Sequence, residues 1–363
     1  MPATIRDVAA RAGVSVATVS AVVTGAKPVS AALRARVEQA VAELRYRPNL
    51  VARALSAKRT QCLALLVPSL ANPFFTAVLQ AVEGTAHQHG YSVFVGSTAG
   101  DPEKVRFYQD RVLAMGIDGV LVVLSWDVVS SGIAGHLLRE KVPVVGVAGA
   151  RPAPGIDGFV TDDEGAGDLA GCYLLGMGHR ALAFVGAADS ETTRLRYAGL
   201  TRALRGAGLC PDPRLLVEVG GYAQHDAYAG VVHLITRNVP FTAVVAFNDV
   251  MALGVLNALE DQGLHVPGRV SVVGFDDTTS EYARPKMTTV ACPKEALGVR
   301  GVRQLLARIR GDDSPPATHL LPPALIVRQS TQVPPGSTGP MGVRERGRLG
   351  QPREGASGCP PRR

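Results

Sequence analysis

Several things that would announce a familiar class are missing from this sequence. No apolar run approaches the roughly 20 residues that a membrane-crossing helix needs. The five cysteines (Cys62, Cys172, Cys210, Cys292, Cys359) are scattered, odd in number and never spaced as C-x-x-C. That argues against a disulfide framework and against a zinc site. The N-terminus has no signal-peptide layout, because Arg6, Asp7 and Arg11 interrupt any apolar core of the required length. The expected compartment is therefore the cytoplasm, with no membrane partner. No G-x-S-x-G, P-loop or catalytic triad is present, and no catalytic residue is assigned. Gly165, Gly167 and Gly171 spell G-x-G-x-x-x-G, one residue off the dinucleotide fingerprint and not clearly placed after a strand. Chance explains that match better than a cofactor does. His87 and His89 flank Gln88 on a helical stretch and point to different faces, a poor metal site. His179, in Met-Gly-His-Arg, reads as a residue shaping a helix-to-strand turn. Neither a metal nor a cofactor is expected. Lysine is scarce, at 6 against 32 arginines, which we read mainly as genomic base composition. Each single arginine weighs less for that reason.

The charge that is present is unevenly placed. Residues 1–59 carry a net +7, residues 60–331 a net −4, and residues 332–363 a net +4. A basic module on a mildly acidic body is the charge pattern of a nucleic-acid-binding domain joined to something else.

The stretch from Thr4 to Thr24 parses as two short helices around a tight turn. Ile5, Val8 and Ala9 share one helical face, and Val19, Val22 and Val23 another. Thr4 followed by Asp7 resembles a capping box, Gly13 suits a left-handed helix end, and Ser15 can cap the second helix. Ala9 and Ala12 are small enough for the helices to cross closely. This is the outline of a helix-turn-helix, whose second helix enters the DNA major groove. An ordinary helical hairpin is the plainer alternative. A third helix is expected over about 31–45, capped by Ser30 and striped by Leu33, Val37, Val41 and Leu44. After Pro48, residues 49–57 have the length of one short helix, too short to be stable without a partner.

With 363 residues, two or three domains are expected. From Gln61 onward, apolar strand-like runs alternate with amphipathic helical segments. Strands are expected at 63–67, 92–95, 119–124 and 142–147, then at 181–185, 243–246 and 270–275. Two such series predict two doubly wound, parallel-sheet subdomains with a cleft between them, where α/β folds bind ligands. Past Val333 the composition turns to Pro, Gly and Arg, as in a disordered tail. The expected organisation is a headpiece at 1–47, a hinge helix and linker at 48–60, a two-lobed effector-binding and dimerisation domain at 61–331, and a basic tail at 332–363.

The chain resembles the lactose/galactose repressor family of bacterial transcription regulators. The resemblance rests on T-I-R-D-V-A at 4–9, A-G-V-S at 12–15, T-V-S at 18–20, R-P-N at 47–49 and A-R-A-L at 52–55. In the body it continues through N-P-F-F at 72–75, M-G-H-R at 177–180, R-Y-A-G-L at 196–200, F-N-D-V-M-A-L-G at 247–254 and V-V-G-F-D-D at 272–277. It implies a small all-α headpiece on an α/β body of periplasmic-binding-protein type. It also implies a homodimer that reads near-palindromic double-stranded operator DNA, and a repressor whose DNA affinity is set by a small-molecule effector. Val16 and Ala17 would open the recognition helix. Ala21 departs from the arginine that many members carry there, which leaves methyl contact or space at that base pair. Thr4, Ser15, Thr18 and Ser20 are hydroxyls that can meet phosphates, cap helices, or both. In the hinge, Arg53 is a further DNA-facing candidate, and Leu55 matches the leucine that wedges between base steps in the minor groove.

By the same resemblance, effector contacts fall on Phe74, Phe75, Ser190, Arg196, Tyr222, Asn248 and Asp276. Arg196 would donate in a fork, Asp276 accept hydroxyls, and Asn248 do both. Phe75 and Tyr222 would stack on the apolar face of a ring, although Phe74 and Phe75 equally suit a core. Ser190 stands where purine-binding relatives place an arginine, which tilts the expected effector toward a neutral sugar over a nucleobase. The main rival reading is a sugar-binding receptor without a DNA-binding role. It would need a signal peptide and no helix-turn-helix.

Overall fold

The computed structural model describes residues 3–24, 27–47, 59–149 and 155–335. The expected hinge helix with Arg53 and Leu55, and the tail from 336 onward, lie outside the described residues.

The headpiece consists of α1 (Ile5–Ala12), α2 (Val16–Thr24) and α3 (Ala31–Glu43). Thr4 caps α1 in a reciprocal box: its backbone N–H donates to Asp7 Oδ2 at 2.8 Å, and the Asp7 N–H returns to Thr4 Oγ1 at 3.4 Å. Gly13 ends the helix at φ 62°, the left-handed conformation that a residue without Cβ adopts at least cost. The Ser15 hydroxyl then takes the Thr18 N–H at 3.1 Å, starting α2. Ser30 sits at the N-cap of α3 but makes no side-chain cap bond. The three helices close on Val8, Ala9, Ala12, Val19, Val22, Val37 and Ala40. Arg36 on α3 reaches back and donates to the carbonyls of Ala12 and Gly13, at 2.6 and 3.3 Å, which fixes α3 to the turn.

The body holds two six-stranded sheets. The first runs β11-β5-β4-β3-β1-β2, from β1 (Cys62–Val67), β2 (Ser92–Ser97), β3 (Gly119–Leu124), β4 (Val144–Gly149), β5 (Asp157–Thr161) and β11 (Thr318–Leu321). The second runs β12-β10-β9-β8-β6-β7, from β6 (Leu182–Ala187), β7 (Leu216–Val219), β8 (Ala243–Ala246), β9 (Ser271–Phe275), β10 (Thr288–Ala291) and β12 (Ala324–Ile326). All pairings are parallel except β10 with β12. Helices cover both faces, so the central strands are buried throughout, as parallel sheets require. The first lobe carries α4 (Pro73–Gln88), α5 (Pro102–Ala114), α6 (Trp126–Ser131) and α7 (Ile133–Arg139). The second carries α8 (Asp163–Gly176), α9 (Glu191–Gly206), α10 (Gln224–Thr236) and α11 (Asp249–Asp261).

The chain crosses between the sheets three times: after β5, after β10, and between β11 and β12. The second crossing delivers α12 (Lys294–Ile309) back onto the first lobe, where a methyl at Gly298 would lie 2.7 Å from Ala81 Cβ. At the far end of the second lobe, His179 bonds Thr242 Oγ1 and the Gln332 carbonyl, each at 2.9 Å. Gln332, expected in the tail, is thus fastened to the body.

The glycines of the near-fingerprint are packing residues. A methyl at Gly167 would stand 1.9 Å from the Arg196 carbonyl oxygen, and one at Gly171 2.7 Å from Ala203 Cβ. Helices α8 and α9 therefore cross almost backbone to backbone. That crossing sets Arg196 against the first turn of α8.

Candidate functional site

Two surfaces carry the residues singled out by sequence. On the headpiece, α2 turns Val16, Ala17 and Ser20 outward, with Ala21 half-buried beside them. Val16 is 42% exposed, on the helix whose other face gives Val19 and Val22 to the core. No charged residue lies on α2, so its exposed face offers methyls and hydroxyls. Thr4 and Ser15 are exposed and already cap helices. The Thr18 hydroxyl is half-buried and bonds Ser15 Oγ at 2.9 Å. Of the nearby cations, Arg11 pairs with Glu43 and Arg34 with Glu38. Arg6 and Lys27 are exposed.

The second surface lies beyond the C-terminal ends of the second lobe's strands. Arg196, in the second turn of α9, is at its centre and is buried. Its Nε donates to Asp163 Oδ1 at 2.9 Å. One terminal nitrogen donates to the Phe247 carbonyl, and the other to Cys292 Sγ at 3.7 Å. Asp276 Oδ1 lies 3.7 Å from that second nitrogen. The guanidinium is sandwiched by rings, 4.4 Å from the Phe275 centroid and 5.1 Å from that of Phe247. The fork expected to face a ligand is thus occupied largely by protein groups. Asp163, which the Gly167 crossing brings within reach, takes the Nε edge, while Phe247, Cys292 and Asp276 take the terminal nitrogens.

Asn248 follows Phe247 and caps α11, its Oδ1 taking the Met251 N–H at 2.8 Å. Its Nδ2 is buried without a hydrogen-bond partner, and so is the Thr193 hydroxyl, one turn before Arg196. Such groups cost free energy unless something supplies a partner. Asp276 sits at φ 95°, a backbone conformation that side chains rarely adopt and that costs about 1–3 kcal/mol. Lys294 Nζ donates to the Asp276 and Asp277 carbonyls, and Arg328 holds Asp277 Oδ1 at 2.7 Å. Tyr222 is exposed and leans on Phe247, with ring centroids 5.3 Å apart.

The electrostatics follow from burial. Burial raises the pKa of Asp163 and of Asp276, and one guanidinium cannot fully compensate two carboxylates. Burial alone would lower that of Arg196. The surrounding carboxylates of Asp163 and Asp276 outweigh it and hold the guanidinium charged. Burial also pushes the Cys292 thiol up, which keeps it protonated. Asp249, at the start of α11, is pushed up to about 6 by burial and by Asp276, against hydrogen bonds from the Thr278 N–H and the Thr289 hydroxyl.

The remaining expected residues have partners of their own. Ser190 caps α9, accepting the Thr193 N–H at 3.2 Å. Phe74 is buried in the first lobe's core, with Phe75 half-buried and edge-on to it at 5.2 Å. Asp163, Asp249, Phe247, Phe275, Cys292 and Lys294 were not singled out by sequence. Phe247, Asp249 and Phe275 lie inside quoted motifs, and Asp163 stands in an Asp-Asp pair at 162–163 that opens a helix after a strand.

A three-helix DNA-reading module on a two-lobed, parallel-sheet binding domain defines a ligand-responsive transcription regulator. Comparison with known proteins agrees on both parts. The family described as "Bacterial regulatory proteins, lacI family" matches residues 4–49, and "Periplasmic binding protein-like domain" matches residues 172–331. The HTH-type transcriptional regulator DegA of Bacillus subtilis (strain 168) is 33% identical over 91% of this chain and 98% of its own. The HTH-type transcriptional repressor PurR of Aliivibrio fischeri (strain ATCC 700601 / ES114) is 34% identical over 90% of this chain and 98% of its own. Among solved structures, a lac repressor dimer bound to operator and the anti-inducer ONPF is 30% identical, with a TM-score of 0.82, covering 92% of this chain and 100% of that one. A complex of the transcriptional regulator CelR with cellobiose is 31% identical, with a TM-score of 0.69, covering 90% and 99%. The chain belongs to the LacI family of DNA-binding transcriptional regulators, which are not enzymes.

Proposed function

We propose that this protein is a homodimeric repressor, acting on operator DNA in the cytoplasm at the nucleoid, and that a sugar bound between its lobes controls its DNA affinity. The observation that carries this reading is the buried constellation of Arg196, Asp163, Asp276 and Asn248 beside the crossing segments of the body. Cys292 bonds Arg196 of the second lobe while packing into the core of the first. A ligand there would bias the lobes' arrangement, and with it the separation of the two headpieces.

On the DNA side, α2 enters the major groove, and Val16, Ala17, Ser20 and Ala21 offer methyl and hydroxyl contacts to base edges. Thr4, Ser15 and Thr18 lie close to the phosphates, while Arg53 and Leu55 act from the hinge in the minor groove. On the effector side, Asp276 accepts sugar hydroxyls, Asn248 Nδ2 donates, and Tyr222 and Phe75 cover the ring. Arg196 acts chiefly by holding Asp163 and Asp276 in place. The solved relatives support a sugar to the extent that one of them holds cellobiose. Ser190 supports it too, because it brings no cation to that end of the cleft.

The test is a thermal-shift panel of sugars and nucleobases, followed by operator titrations with and without each hit. Any hit must change operator affinity by the same factor that operator changes hit affinity. A nucleobase that stabilises the protein and shifts operator binding, with every sugar inert, would replace the sugar reading.

A further inference from the structure

The buried cluster around Arg196 carries more carboxyl groups than cations among the described residues. Asp163 and Asp276 share one guanidinium. Asp277 has Arg328, and Lys294 is spent on two backbone carbonyls. Asp249, buried within reach of Asp276, takes two hydrogen bonds and has no cation. Among the described residues of this cluster, four carboxyl groups thus stand against three cations. The Nε edge of Arg196 and both its terminal nitrogens are engaged by protein groups. Among the described residues, the buried polar side-chain atoms left without partners are all neutral: Asn248 Nδ2 and the hydroxyls of Thr193, Thr278 and Thr279.

We propose that Asp163 sets the charge selectivity of this cleft. By closing on Arg196 it turns an anion-seeking guanidinium into half of an internal ion pair. The effector is then a polyhydroxy compound without negative charge, and sugar phosphates and uronates are refused. The physical basis is Coulombic. An incoming phosphate or carboxylate would sit beside carboxylates in a medium of low effective dielectric, with no free cation among the described residues of the cluster to receive it. A neutral polyol meets no such penalty, and its hydroxyls can satisfy Asp276, Asn248 and Thr193 together. Gly167 belongs to the same device, because only a residue without Cβ lets α9 approach α8 closely enough for Asp163 to reach Arg196.

This inference rests on the cleft being the effector site, and the experiment separates the two. The full-length protein and its Asp163→Asn and Asp163→Ser variants are tested by calorimetry with inorganic phosphate, glucose 6-phosphate, glucuronate and a panel of neutral sugars. Far-UV circular dichroism and operator binding check that each variant is folded. The wild type should bind none of the anions. Asp163→Asn should gain affinity for at least one of them by about tenfold or more. The double variant Asp163→Asn/Arg196→Gln should lose that gain. Glucose 6-phosphate or glucuronate binding the wild type in competition with a neutral sugar overturns the proposal, whatever the variants do. So do folded Asp163 variants that gain nothing. If Asp276→Asn and Asn248→Ala leave every neutral-sugar response unchanged, the effector-site reading fails instead.

Discussion

The headpiece and the cleft are built by opposite rules. In the headpiece, the bonds that shape the DNA-reading end are mostly local: Thr4 with Asp7, and Ser15 with Thr18, each three residues apart. In the cleft, Arg196 alone reaches partners 33, 51 and 96 residues away. The headpiece groups are exposed, so each is worth little by itself. The cleft groups are buried, so each matters greatly once its partner is gone. A surface that reads a charged polymer can be written in one short stretch of sequence. A pocket that sorts small molecules must be assembled from the ends of many elements.

The largest effect separates the two regions altogether. Deleting residues 1–47 should abolish operator binding and leave effector-induced stabilisation of the body as it was. Intact binding should also fall steeply with salt, because headpiece cations displace phosphate counterions. Specific operator binding by the truncated chain would break the division of labour.

The next prediction places one kind of ion pair in both settings. Arg196→Ala leaves Asp163 and Asp276 buried without their shared cation and should cost about 3–5 kcal/mol of stability. Arg11→Ala breaks the headpiece pair with Glu43, whose side chains are 58% and 36% exposed, and should cost at most about 1 kcal/mol. Urea unfolding of both variants checks the contrast, and similar losses would remove it. Restoring the wild-type charge balance with Asp163→Asn/Arg196→Gln should recover part of the Arg196 loss, since Asp276 still lacks its cation.

Acid–base behaviour should divide the same way. Asp249 titrates at about 6 in the folded protein, against an ordinary 3.8. The folded state therefore holds that proton more tightly than the unfolded chain does. The stabilisation is complete below about pH 4 and is lost as pH rises to about 6, amounting to about 3 kcal/mol. The stability difference between wild type and Asp249→Asn should shrink across that window in the wild type's disfavour. A difference independent of pH would sink the assignment. Asp7 in the headpiece shifts the opposite way, lowered by the Thr4 backbone and hydroxyl, so its contribution fades only as pH falls.

The same contrast decides what was legible in the sequence. Gly13, Thr4 and Ser15 announce their roles through neighbours three residues away, and the helix-turn-helix follows from them. All seven expected strands overlap observed ones, because buried parallel strands are continuous apolar runs. Five strands escaped notice. Strands β7, β11 and β12 are short sheet edges, with exposed residues such as Leu320. Strands β5 and β10 are short and open on polar residues, Asp157 and Thr288, so neither shows a continuous apolar run. Arg196 and Asp276 were found through motif resemblance. Asp163 was not, because its function depends on a helix crossing set by Gly167, and the pattern holding that glycine looked like a failed dinucleotide loop.

A smaller effect tests the turn. Gly13→Ala places a Cβ at φ 62° and 2.7 Å from a terminal nitrogen of Arg36. Left-handed strain should cost about 1–2 kcal/mol, and Arg36 must give up its carbonyls as well. Operator affinity should fall while the body's unfolding transition stays put. If the body's transition moved too, the headpiece would not be an independent unit.

The smallest effect distinguishes capping from phosphate contact. Thr4→Ala and Ser15→Ala each remove a helix cap and should cost the headpiece about 1 kcal/mol. Neither removes a cation, so the slope of log affinity against log salt should be unchanged in both. Lys27→Ala should instead leave headpiece stability alone and flatten that slope by roughly one unit if Lys27 meets a phosphate. The caps also divide between themselves. Thr4 is tied to Asp7 by both its N–H and its hydroxyl, whereas Ser15 opens the recognition helix itself. If Ser15→Ala loses more operator affinity than its stability loss explains, and Thr4→Ala does not, the Ser15 hydroxyl touches DNA as well as capping α2. Equal and purely structural losses would assign both hydroxyls to the fold alone, leaving the outward face of α2 and the hinge to do the reading.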